Sequence, residues 1–283
     1  MWALPLLYSA LMLLSGVASL SGNMLQLMLL LLHRELRSDT LSLTLSCCFS
    51  DIALGLSAFP FAIYHGLTPP SGPPSEGVLC QGGGFLLLLL QTSSLHSLAW
   101  ASVDKFLEIC LALSYGSLVT AARCRAVLLL LWSVCLGGAV LPLLGFGCYA
   151  YSEASFLCGP SFSPAHRAFV LLWVGGGLAP PLLAMVSLYG LVVCVARRQA
   201  RRGTFICNEL HCYYVPANVY LRSSIAMLST SVCVLVCWLP YISVCVYETF
   251  SGHQSPSVVS ALSTWLVLSS TALNPWITCL TQR

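Results

Sequence analysis

Charge is what this chain has least of: Asp, Glu, Lys and Arg make up 7% of its 283 residues, where a soluble domain carries about 25%. So little charge cannot coat a globule in water, which excludes the soluble globular class. The two-residue alternation of barrel strands is missing as well, and a transmembrane β-barrel is excluded with it. No internal repeat is visible, so the inverted-repeat transporter architecture loses its main sequence support. Asn-x-Ser/Thr glycosylation acceptors are absent. Neither Cys-x-x-Cys nor His-x-x-x-His spacing occurs, and no metal cage is indicated.

What fills the chain is hydrocarbon. Hydrophobic residues make up 58% of it and run over about 3–32, 40–66, 80–103, 126–147, 168–196, 223–247 and 256–280. Each run is long enough to cross a hydrocarbon layer of about 30 Å at about 1.5 Å per residue. With their polar flanks, helices are expected at about 3–32, 40–66, 80–112, 122–147, 166–200, 218–249 and 255–281, forming one all-α seven-transmembrane domain over 1–283. The first run is read as a span rather than a secretory signal. No basic residue precedes it, it is longer than a signal's apolar stretch of about 7–15 residues, and Gly22 and Asn23 lie inside it. Almost no ectodomain is then expected ahead of it.

Orientation follows from the basic residues. Arg34 and Arg37 follow the first span, Lys105, Arg123 and Arg125 flank the third link, Arg197, Arg198, Arg201, Arg202 and Arg222 flank the fifth, and Arg283 ends the chain. Only Arg167 falls on the other side. Eleven of twelve on one face predicts the N-terminus outside and the C-terminus in the cytosol. The net charge of +3 then reflects membrane topology, with no nucleic-acid footprint.

Most of the fifteen cysteines, Cys47, Cys48, Cys135, Cys194, Cys233 and Cys237 among them, sit inside spans and read as small buried hydrophobes. Cys80, Cys148 and Cys158 fall on the outer face, where a disulfide persists. Cys80 is expected to pair with Cys158, with Cys148 the lesser candidate, because Cys158 lies nearer the middle of its loop. Residues 67–79, rich in Pro, Gly and Ser, read as an outer turn. Cys207, His211 and Cys212 in the inner link 201–217 make only a weak case for zinc.

Within the apolar runs Asp51 is the one charged residue. A carboxylate at mid-membrane is costly and marks function when partners can be named. Ser94, Ser270, Asn274 and Asn23 lie at similar depth if the helices bundle. Two readings stay open: a hydrated cluster holding a monovalent cation or a proton, and a protonated structural strut.

Taken together, Gly22-Asn23, Asp51, Cys80 and Asp104-Lys105-Phe106, Trp132 and Pro142, Pro181 with Tyr189, Cys237-Trp238-Leu239-Pro240, and Asn274-Pro275 resemble the rhodopsin-like (class A) G-protein-coupled receptors. The resemblance covers nearly the whole chain, and the 24 residues between Cys80 and Asp104 are the family's usual interval. Cys237 to Tyr241 and Ser263 to Pro275 look most similar to orphan members. The resemblance implies a toggle at Trp238, kinks at Pro181, Pro240 and Pro275, and a sodium pocket of Asp51, Ser94, Trp238 and Asn274. Asp104, Lys105, Phe106, Tyr189, Asn274, Pro275 and Thr278 would form the switch that admits a heterotrimeric G protein when helix six swings outward.

Two departures stand out. Lys105 and Phe106 replace the family's usual arginine and tyrosine, and a lysine lacks the guanidinium fork. It can still pair with Asp104. The inner end of helix six, Tyr220-Leu221-Arg222, offers no acid for an inactive-state latch, and Thr278 stands where a tyrosine is usual. A shallow two-state gap with weak ligand-independent activity is expected. After Asn274-Pro275 only a few residues follow, without the amphipathic eighth helix and tail usual in the family.

By resemblance, Leu88, Gln91, Trp173, Trp238, Tyr241 and Trp265 line an apolar aromatic ligand pocket, with His65, Tyr247 and Glu248 near its mouth. Leu87 and Leu268 replace the amine receptors' aspartate and the opsins' lysine, which disfavours amines and retinal. A lipid or apolar metabolite, or the protein's own outer loop, fits the pocket better. Competing classes are weaker: a channel lacks a hydrated path, and an intramembrane enzyme lacks paired acids or a metal. A receptor fold that no longer couples and acts as a scaffold, homodimer or heteromer partner is the main alternative, and Gly175-Gly176-Gly177 would let helices approach closely.

Overall fold

A computed structural model describes residues 3–33, 40–68, 77–200, 204–207, 212–215 and 217–281. Arg34, Arg37, Arg201, Arg202, His211 and Arg283 lie outside the described residues, as do the side chains of Cys207, Cys212, Tyr220, Leu221, Arg222 and Thr278.

Seven helices are long and apolar enough to cross a membrane. They are α1 (Ala3–Leu32), α2 (Leu41–Leu67), α3 (Val78–Cys110), α5 (Ala121–Val140, continued as a 3-10 turn Leu141–Leu144), a segment from α6 (Arg167–Leu172) into α7 (Ala179–Ala200), α8 (Ala217–Ser251) and α9 (Ser257–Thr281). A short α4 (Tyr115–Leu118) links α3 to α5. Helix α1 packs on α2 and α9, α2 on α3, α3 on α5 and α7, α7 on α8, and α8 on α9, which closes a ring.

The ring differs from a soluble protein in its apolar outer surface, while its interior mixes buried apolar residues such as Leu54 and Leu268 with polar groups. Leu14, Leu56, Leu129, Leu144 and Leu183 are each more than 60% exposed, whereas Ser50, Asp51 and Ser93 are fully buried. The bilayer solvates leucine as well as a neighbouring helix does, so polar groups turn inward to find partners. Trp132 Nε1 donates to Ser46 Oγ at 3.0 Å, and that hydroxyl lies 3.1 Å from Ser97 Oγ, tying α5, α2 and α3 together.

Two strands, β1 (Tyr149–Ser152) and β2 (Leu157–Pro160), form an antiparallel hairpin over one end of the bundle, with Tyr151 opposite Cys158. The disulfide joins Cys80 to Cys158, the pairing expected, and Cys148 stays free beside His166 Nε2 at 3.1 Å. Tyr149 is 1% exposed, and its hydroxyl donates to the Ala139 carbonyl at 2.7 Å. Gly84 makes room for that ring: a Cβ there would sit 2.5 Å from Tyr149 Cδ1. A second hairpin, β3 (Thr204–Cys207) and β4 (Cys212–Val215), joins α7 to α8.

The fifth span is not the continuous α-helix expected over 166–200. Residues Trp173–Leu178 form a π-helical turn, and Ala179 N donates to the Val174 carbonyl five residues back. Pro180 and Pro181 supply no amide to the preceding turn, and the three glycines put no side chain in the way of a wider ring. The fourth span likewise leaves α geometry at Leu141, next to Pro142.

Candidate functional site

Asp51 lies at the centre of the bundle, fully buried. Ser94 Oγ of α3 donates to its Oδ1 at 2.6 Å, and Asn274 Nδ2 of α9 donates to its Oδ2 at 2.7 Å. Cys47, one turn earlier on α2, reaches the same oxygen with its Sγ at 3.7 Å. Three helices therefore converge on one carboxylate. Beside it lies a cavity of about 10 Å³, enough for the centre of one water-sized particle, lined by Gln91, Ser94, Trp238, Ser270 and Asn274 among others. Of the residues expected to form a sodium pocket, Ser94, Trp238 and Asn274 border this small space, and Asp51 bonds to two of them, Ser94 and Asn274.

Asn23 belongs to a neighbouring joint. Its Nδ2 donates to the Ser19 carbonyl at 2.9 Å and to the Thr271 carbonyl at 3.0 Å. Thr271 lies four residues before Pro275, whose missing amide leaves that carbonyl without its usual helical donor. Asn23 replaces the lost bond from another helix. Gly22 allows the approach, since a Cβ there would sit 3.1 Å from Pro275 Cγ.

At the end opposite the β1–β2 hairpin, Asp104 is 8% exposed and is held by Tyr115 Oη at 2.7 Å and Thr40 Oγ1 at 3.2 Å. Burial, then the bond to Asp104, pushes the Tyr115 phenol well above its ordinary range. Lys105 does not pair with Asp104 as its neighbouring position suggested. Its Nζ forms a salt bridge with Glu108 Oε2 at 2.7 Å, one turn along the same helix face. Adjacent helical residues point about 100° apart, whereas residues i and i+3 share a face. Phe106 and Tyr189 are half-buried.

The six residues expected to line one ligand pocket, polar Gln91 among them, are spread over the bundle. Gln91 and Trp238 border the small cavity near Asp51. Leu88 and Trp173 face a crevice beside α5. Tyr241 faces an outer vestibule. Trp265 turns to α1, its Nε1 donating to Ser15 Oγ at 3.0 Å. Protein reaches between two of them: Phe162, just after the hairpin, stacks on Trp173 at 6.3 Å and meets Tyr241 edge-on at 5.9 Å. Leu157 of β2 is 4% exposed, packed with Leu87 and Leu268. No helical periodicity in the sequence announces these loop contacts.

The open volume lies above this plug, a vestibule of about 530 Å³. Its lining is largely polar, with Glu153, Glu248, Ser255, Ser260 and Thr264 among the contributors. Glu248 accepts from Ser255 N at 3.0 Å and from Ser260 Oγ at 3.3 Å, which fixes the turn between α8 and α9. His65 stacks near Phe61 and Tyr151 instead of lining the vestibule, and Tyr247 is about half exposed.

Residues 22–277 match the 7 transmembrane receptor (rhodopsin family) profile. The chain is 28% identical to the adenosine receptor A2b of Homo sapiens over 95% of its own length and 84% of that receptor's. It is 27% identical to the histamine H2 receptor of Canis lupus familiaris, over 91% of this chain and 71% of that one. With its seven apolar helices, the Cys80–Cys158 disulfide and a match across nearly all of the bundle, the chain belongs to the rhodopsin family of G-protein-coupled receptors, multi-pass proteins of the plasma membrane and not enzymes.

Proposed function

We propose that this receptor signals to heterotrimeric G proteins with its apolar ligand space occupied by its own outer loop, so that its output is basal or set by a small ligand acting around that plug. The orphan-like character of Cys237 to Tyr241 and Ser263 to Pro275 agrees with this. The observation that carries the reading is Phe162, which sits in an aromatic cage of Trp173 and Tyr241. Arg197, Arg198, Arg123, Arg125 and Lys105 lie at the end opposite the hairpin, which supports the N-terminus outside and the C-terminus in the cytosol. Activation would move the inner end of α8 outward and admit the G protein among Asp104, Lys105, Phe106, Tyr189, Asn274, Pro275 and Thr278. Relatives are named for adenosine and histamine. For a cationic amine, Leu87 offers no counter-charge, and Glu248 is already bonded to the α8–α9 turn.

The test is ligand-free signalling at matched surface expression. Removing an aromatic pair costs about 0.5–1.5 kcal/mol, so Phe162→Ala is expected to lower basal output about two- to twelvefold. Basal second messengers equal to those of mock-transfected cells in the wild type would overturn the reading.

Asp51 and Ser94 supply carboxylate and hydroxyl oxygens in one buried cluster, hard donors suited to sodium, and Asn274, whose Nδ2 now bonds both, would join them by turning its amide oxygen inward. They would hold the ion, and its charge would balance that of the carboxylate. Sodium in place of a large organic cation is expected to raise the apparent melting temperature by about 2–4 °C, the shift about 1 kcal/mol produces in a chain of this size. Asp51→Asn should erase the difference, and an equal response in both proteins would leave Asp51 a strut.

A second reading, a receptor fold with weak or no coupling acting as scaffold or heteromer partner, is favoured by Lys105, which is engaged by Glu108 on an exposed face.

A further inference from the structure

The chain between α5 and α6 leaves the bundle and returns to it, and the two ends of that excursion meet through a thiol and an imidazole. Cys148 stands immediately before β1, and its Sγ lies 3.1 Å from Nε2 of His166, the residue immediately before α6. Gly147 lets the first end come in. Its φ is +122°, in the region that favours glycine, and a Cβ there would sit 2.9 Å from Phe169 Cγ of α6. The second end is set by a 3-10 turn over Pro164–His166, opened by Ser163, whose Oγ accepts from Ala165 N at 3.2 Å. Cys148 and His166 are both half-buried, a position open to a small reagent.

Of Cys80, Cys148 and Cys158, only Cys148 keeps its thiol, because the other two are joined. A cysteine left over in an oxidising compartment is a candidate reactive thiol. An adjacent base that takes its proton makes a thiol a strong nucleophile, and Nε2 of His166 is within reach of that proton. Among the described residues no third Cys, His, Asp or Glu completes a metal cage with the pair. We propose that Cys148 and His166 form a redox site that takes up a small extracellular disulfide, of the class of glutathione disulfide or cystine, as a mixed disulfide. His166 Nε2 accepts the thiol proton and the Cys148 sulfur attacks one sulfur of the incoming disulfide. That S–S bond breaks as the new one forms, and the departing thiolate leaves with the proton held by His166. Cys148 is oxidised and half of the reagent is reduced to a thiol, so no further oxidant is needed. The contact that the adduct replaces closes the base of the loop carrying Phe162. The site rests on the orientation proposed above, which puts the hairpin outside the cell.

The experiment expresses the full chain, with an epitope at its N-terminus, at the surface of cells and treats the intact cells with biotin-tagged glutathione disulfide. Adducts are mapped by mass spectrometry without reduction. The wild type should be labelled at Cys148, and Cys148→Ser should lose that label. His166→Ala should slow labelling about tenfold, since only about a few per cent of an unassisted thiol is ionised at neutral pH. Free imidazole in the medium should restore the rate in His166→Ala, a rescue that a misfolded chain would not give. Antibody access to the epitope on intact cells reports the orientation separately, and an epitope reached only after permeabilisation would overturn the orientation and the site with it. With the epitope outside, the absence of label at Cys148, or a labelling rate indifferent to His166→Ala, would overturn the proposal alone.

Discussion

Exchanging Cys80 or Cys158 for serine lowers the apparent melting temperature by about 5–15 °C. The estimate combines about 2–5 kcal/mol for loss of a native disulfide with about 2–4 °C per kcal/mol in a chain of this size. The bond spans 78 residues and ties β2 to the head of α3. Without it, the unfolded ensemble gains a long free loop. The folded state loses more than a tether, because β2 also carries buried Leu157 and leads to Phe162. Intrinsic tryptophan fluorescence during heating is a direct readout, since Trp173 lies in that contact. The single and double serine variants should behave alike, because each removes the same bond. A double variant that melts with the wild type would show that packing alone seats the hairpin, as through Tyr149 on the Ala139 carbonyl.

The second large effect belongs to the inner end of the bundle. Lys105→Arg combined with Thr278→Tyr should raise ligand-free signalling about tenfold, the change that about 1.4 kcal/mol produces in a two-state equilibrium. In the present state Lys105 is held by Glu108, an exposed pair worth at most about 1 kcal/mol. Little opposes its release. What the active arrangement lacks is a donor with geometry: a guanidinium offers two directed N–H groups where an ammonium offers a point charge. Second-messenger assays across the G-protein families, at equal surface level, decide the matter. Equal output from wild type and repaired chain would move the explanation away from these positions. Clear wild-type output abolished by Lys105→Ala would show that Asp104-Lys105-Phe106 is already a working switch.

Asp104 itself shows why such a site is only half legible beforehand. Its acidity and position at the end of an apolar run are plain in the sequence, as are Lys105 next to it and the absence of an arginine. That Tyr115 and Thr40 would take its two oxygens, leaving Lys105 to Glu108, depends on how α4 folds back under α3 and where α2 begins. The residues expected to line the ligand pocket make the same point from the other direction. Leu88, Gln91, Trp173, Trp238, Tyr241 and Trp265 share a family alignment, yet helix rotation sends Trp265 to Ser15 and Leu88 to the α5 crevice.

By itself the sequence determined the number of spans, the burial of Asp51 and the depth at which Ser94 and Asn274 could meet it. Hydropathy and depth are additive along a chain, and one carboxylate in 30 Å of hydrocarbon has few places to go. Only the tertiary structure decided that Asn23 would cap the carbonyl Pro275 leaves bare, that the fifth span would widen into a π turn, and that an outer-loop phenylalanine would occupy the apolar cage. Those outcomes are set by which helix faces which and by where a disulfide-tethered hairpin comes to rest, relations between segments far apart in the chain that no local pattern encodes.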